Sequence, residues 1–130
     1  MNFKNTVGLA VTALVLNMGL MGDVSAKSFI VKCKSTGTRS KVSVDGAGLN
    51  SKLFYRAKIT SGANAKFSSY EHPVLGEAEF DFDSNPADIK AGATAVPTNF
   101  IQNNLVNGYI YLNGFPNNPV MQMTGVVCSK

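Results

Sequence analysis

Apolar and polar residues alternate through most of the chain after residue 27, and this period of two predicts strands rather than helices. In SFIVKCK, Phe29, Val31 and Cys33 share one face, while Ile30, Lys32 and Lys34 share the other. SKVSV sets Val42 and Val44 against Lys41 and Ser43, and LFYRAKIT sets Leu53, Tyr55, Ala57 and Ile59 against Phe54, Arg56, Lys58 and Thr60. SGAN reads as a hairpin connection into AKFSSYE. HPVLG breaks the pattern, and EAEFDFD resumes it with Ala78, Phe80 and Phe82 opposite Glu77, Glu79, Asp81 and Asp83. Asn85-Pro86-Ala87-Asp88 then has the marks of a helix start: an Asn cap, Pro at the first position and an acid in the first turn. AGATAVP keeps that helix short, near residues 86–91. NFIQ fits a short strand or a turn of helix. LVNGYIYLNG and PVMQMTGVVCS are strands around an FPNN turn, with Gly125 marking a bulge in the last. Short strands separated by turn signals predict an all-β fold, a small antiparallel sandwich with a small barrel as the alternative.

The first 26 residues stand apart from this pattern. Lys4 precedes the apolar run Val7 to Met21, and Val24-Ser25-Ala26 has the small residues of a signal-peptidase site. The run falls short of the roughly 20 residues a spanning helix needs. The expected protein is therefore a cleavable leader, 1–26, and a single β domain, 27–130, secreted or periplasmic after cleavage near Ala26. No later segment is apolar enough to span a bilayer. Export makes Cys33 and Cys128, the only cysteines, an expected intramolecular disulfide. Their Cα atoms must then lie within about 7 Å, which makes the first and last strands neighbours.

The formal net charge of +4 is unevenly spread. Lys27 to Lys66 is a basic stretch containing Asp45 as its one acid, whereas residues 71–130 carry Glu71, Glu77, Glu79, Asp81, Asp83 and Asp88 against Lys90 and Lys130. Export argues against a nucleic-acid partner. An acidic protein, lipid headgroups or an acidic envelope polysaccharide would suit the basic half.

Glu77, Glu79, Asp81 and Asp83 share one strand face, and three readings of that row are open. Asp81-x-Asp83-x-Asn85 resembles the opening of a calcium loop, but Pro86 replaces the required Gly and no closing Glu follows. A looser Ca²⁺ site on Asp81 and Asp83 remains. The row could instead meet a basic partner. The expected reading is a cross-strand ladder against Arg56 and Lys58.

Catalytic signals are weak, and the chain is expected not to be an enzyme. His72 is the single histidine, beside Pro73 in a loop, and Glu77 with Glu79 on an open strand implies no cleft. The candidate binding residues are aromatic: Tyr109 and Tyr111 in a strand, and Phe115 in NGFPNN, where it either presents a binding tip or folds back over the core. The expectation is a monomeric, non-enzymatic binding or structural accessory of the envelope or extracellular space. The alternatives are a cation-dependent binding module using Asp81 and Asp83, and a secreted enzyme inhibitor.

Overall fold

The computed structural model describes residues 27–130, so the expected leader lies outside the described residues. Eight strands and one helix follow in order: β1 (Ser28–Thr36), β2 (Arg39–Ala47), β3 (Tyr55–Ser61), β4 (Asn64–Phe67), β5 (Ala78–Asp83), α1 (Pro86–Lys90), β6 (Thr94–Ala95), β7 (Leu105–Leu112) and β8 (Met121–Val127). Sheet one has the order β1-β2-β5-β6 and sheet two β4-β3-β7-β8. All pairings are antiparallel except the two-residue β5–β6 contact. Both sheets stay open, so the fold is a sandwich and the barrel alternative is set aside.

The alternation decides what each sheet buries. Phe29, Val31, Val42, Val44, Phe80 and Phe82 of sheet one meet Tyr55, Ala57, Ile59, Val106 and Ile110 of sheet two in one apolar core. Burial of these side chains is the main drive that brings the layers together, at about 25 cal/mol per Å². Gly108 lets them close. A Cβ there would stand 2.7 Å from a Val31 methyl, so any larger residue would push β7 away from β1.

The expected disulfide is present, with the Cys33 and Cys128 Cα atoms 4.7 Å apart across 95 residues of chain. It joins β1 to the segment just after β8, hence one sheet to the other. Ser35 donates its N–H to the Ser129 carbonyl at 2.8 Å, and Ser129 donates to the Cys33 carbonyl at 3.0 Å. Gly125, with φ of 67°, sits at a register shift between β7 and β8, where its N–H donates to Asn107 Oδ1. The bulge expected from the sequence is there.

Asn85 caps α1 by accepting from the Ala87 N–H at 2.9 Å, with Pro86 at the first turn. NFIQ belongs to neither element proposed for it. Phe100 and Ile101 are buried in a loop, where they close the core. Ser40 fixes that loop by donating to the Thr98 carbonyl and accepting from the Ile101 N–H. A buried loop held by side-chain hydrogen bonds has no sequence period to announce it.

Candidate binding face

Alternation that buries one side of β3 and β7 must expose the other, and on sheet two that outer side is basic and aromatic. Arg56 lies opposite Tyr111, and Lys58 lies between Tyr109 on β7 and Phe67 on β4. The Arg56 guanidinium carbon stands 3.9 Å from the Phe67 ring centre and 4.8 Å from that of Tyr70. Lys58 Nζ is 5.3 Å from the Phe67 ring. Tyr111 is 6.2 Å from both Phe67 and Tyr109, centre to centre, which makes a continuous row of rings.

These contacts sort the aromatics by role. Phe67 and Tyr70 are exposed and Tyr109 is half-buried, so they can be touched from solvent. Tyr111 is buried and forms the floor on which Phe67 leans. Burial, helped by neighbouring Tyr109 and opposed by Arg56, raises the Tyr111 hydroxyl above its ordinary pKa, so it stays protonated. Arg56 makes no ion pair; both ion pairs among the described residues belong to Arg39. Its Nε is buried with no hydrogen-bond partner there. A cation held on ring faces, with no carboxylate beside it, keeps its charge for an incoming anion.

Phe115 is not with the tyrosines. It sits in the β7–β8 loop at one end of the sandwich and is 55% exposed, so of the two alternatives for it the exposed tip fits and the plug over the core does not.

The acidic row lies on the outer side of the other sheet, so the expected ladder against Arg56 and Lys58 does not form. Its register partners are on β2: Lys41 faces Asp83, Ser43 faces Asp81 and Asp45 faces Glu79. Asp83 is 1% exposed and accepts two hydrogen bonds from Arg39, at 3.0 and 2.7 Å. Arg39 also reaches Asp88 at 2.7 Å. Burial pushes the Asp83 carboxyl up, but the Arg39 hydrogen bonds, the Asn85 N–H and the charges of Arg39 and Lys41 outweigh it, and its pKa ends below the ordinary value. Asp81 accepts from the Ser43 hydroxyl at 2.9 Å. Burial first, then repulsion from Glu79 and Asp81, lifts Asp45 to about 6, with Lys32 opposing. Glu71 is raised by burial and by the same two acids.

An open cleft of about 460 Å³ lies along this side, lined by Lys41, Glu71, Glu79, Asp81 and Asp83 among others. Among the described residues, no three or more His, Cys, Asp or Glu side chains converge to hold a metal ion. The Asp83 oxygens are already engaged by Arg39, and the cleft is polar throughout its acidic wall. The basic and aromatic outer side of sheet two is the better-organised candidate.

Arg56, Lys58, Phe67 and Tyr70 were not predicted as a binding group. Their signal was present in the alternation of Arg56 and Lys58, but nothing local says that β4 folds Phe67 over β3. No family model, curated protein or solved structure matches the chain.

Proposed function

We propose that this protein is an exported, non-enzymatic binding module of the cell envelope or extracellular space, and that it takes an acidic polysaccharide across the outer side of sheet two. The observation that carries the reading is Arg56, set between Phe67 and Tyr70 with no acid against it. Exposed rings give a flat surface for the C–H faces of sugar residues. Arg56 and Lys58 supply two cations beside those rings for carboxylate or sulfate groups, and Arg offers a planar fork that can bind such a group at two points. A disulfide-closed sandwich supports an extracytoplasmic location.

The test is binding of the purified exported protein to a uronic-acid polymer and to a neutral glucan of similar length. Binding to the acidic polymer alone, weakened by salt, is expected. Arg56→Ala and Tyr109→Ala should each weaken it by about tenfold, and Arg56→Lys should restore part of the loss through charge without the fork. Equal binding to both polymers, or full binding by Arg56→Ala, would defeat the assignment.

A further inference from the structure

The chain that follows β4 ties the basic and aromatic face to the acidic cleft. Regular pairing of β4 with β3 ends at Phe67, yet residues 68–71 stay on the same edge. The Ser68 N–H donates to the Ala57 carbonyl at 2.9 Å, and Ser68 Oγ accepts from the Ala57 N–H at 2.8 Å. Glu71 and Tyr55 exchange both backbone hydrogen bonds, at 2.8 and 3.0 Å. Ser69 and Tyr70 therefore stand opposite Arg56 alone, two residues against one, which is a β-bulge at the sheet edge. A bulge re-aims the side chains beside it. Here Tyr70 sets its ring 4.8 Å from the Arg56 guanidinium, while Ser68, Ser69 and Glu71 line the cleft on the side of sheet one.

Sheet one leaves room for this because β6 covers β5 at Phe82 and Asp83 only, and Phe80 and Asp81 share the cleft with Glu71. Glu79 and Asp81 face Glu71 from β5, and Lys41 lines the cleft from β2 in register with Asp83. Asp83 and Asp88 complete the wall and are held by Arg39. Asp45 lies opposite Glu79, and His72 follows Glu71 in the chain with its ring stacked on Phe54. Tyr55, the β3 partner of Glu71, is buried in the core. Burial, then repulsion from Asp81 and Glu79, raises the Glu71 carboxyl above its ordinary pKa.

We propose that Glu71 is a positioning residue for the binding face: protonated, it lets residues 68–71 settle into the cleft and hold Tyr70 on Arg56, and ionised, it is pushed from Glu79 and Asp81 and loosens that ring. The inference rests on the proposed role of sheet two and adds its regulation. The grip on an anionic polymer tightens as pH falls. Repulsion favours protonated Glu71 most where the segment is held in place, and an anion bound at Arg56 and Tyr70 holds it there. Binding therefore takes up a proton, and by linkage acid strengthens binding.

The test is binding of the purified exported protein to dextran sulfate, whose sulfates stay ionised, from about pH 7.5 down to about pH 4.5. Affinity of the parent should rise about fivefold on acidification. Glu71→Gln keeps the size of the side chain and should bind at every pH as tightly as the parent does in acid. Tyr70→Ala should bind more weakly and lose the pH dependence, because the ring is the link. Asp45→Asn and His72→Gln should keep the parent's profile. In the free protein, NMR signals of the Tyr70 ring and the Arg56 guanidinium should titrate together, and Glu71→Gln should abolish that titration. A pH profile kept by Glu71→Gln or by Tyr70→Ala would overturn the proposal, since overall charge would then explain it. Loss of the profile in His72→Gln or Asp45→Asn would overturn it too. Static Tyr70 and Arg56 signals would defeat the coupling whatever the binding. Titrating signals in a parent that binds the polymer at no pH would defeat the polysaccharide reading and leave the coupling standing.

Discussion

The outer sides of the two sheets are built by the same alternation and handle charge in opposite ways. On sheet one, β2 and β5 bring Lys41 into register with Asp83, and Arg39 closes over Asp83 and Asp88. On sheet two, Arg56 and Lys58 meet rings instead of acids. A charge satisfied within the fold contributes to stability, and a charge resting on rings remains available to a ligand. Residue type alone does not separate these cases, because Arg39 and Arg56 both sit in strands of the basic half of the chain.

The largest expected effect comes from the link that holds the two sides together. Breaking Cys33–Cys128 by reduction, or by Cys33→Ser with Cys128→Ser, should lower stability by about 4–5 kcal/mol in the chain-entropy model for so long a loop. Denaturant melts with and without reductant measure it, and an unchanged midpoint would show that the sheets hold without the bridge.

Next is the contrast between the two arginines. Arg39→Ala leaves the Asp83 carboxylate buried without its partner and should lower the melting temperature by about 10 °C. Arg56→Ala removes only ring contacts and should lower it by no more than about 4 °C. If the order is reversed, Arg56 is a structural residue and the comparison fails.

pH separates two acids of sheet one. Asp83 has a lowered folded pKa, so its stabilisation is present above the unfolded value, about 4, and is lost as pH falls through the folded one. Asp45 runs the other way. With a folded pKa of about 6, it favours the folded state at low pH and loses that contribution as pH rises from about 4 to 6. Asp45→Asn should therefore melt about 3 °C above the parent at pH 7, with the difference vanishing below about pH 4. A difference constant with pH would exclude titration of Asp45 as its source.

The smallest effect expected is from calcium. Millimolar Ca²⁺ against chelator should move the melting temperature by less than about 1 °C, because Arg39 already occupies the Asp83 oxygens. A rise of many degrees that Asp81→Asn with Asp83→Asn abolishes would return the acidic side to the role of a cation site.

What the sequence by itself determined is local. Period-two alternation names the buried apolar residues of β1, β2, β3 and β5, because facing within a strand is a backbone property, whereas the burial of Asp83, on the outward face, came from tertiary contacts with Arg39. Asn85-Pro86 sets the start of α1, and Gly125 marks the bulge, for similarly local reasons. Two cysteines in a chain with a leader-like start were enough to name the bridge. Which strand lies beside which was decided by tertiary structure. Asp83 of β5 met Arg39 and Lys41 of β2, Asp81 met Ser43 and Glu79 faced Asp45, none of them Arg56 or Lys58, because hydrogen-bonded neighbours are chosen by topology and not by charge along the chain. The same holds for Phe67 and Tyr70 around Arg56. Each residue there is unremarkable in sequence, and only long-range pairing of strands brings it within reach of the others.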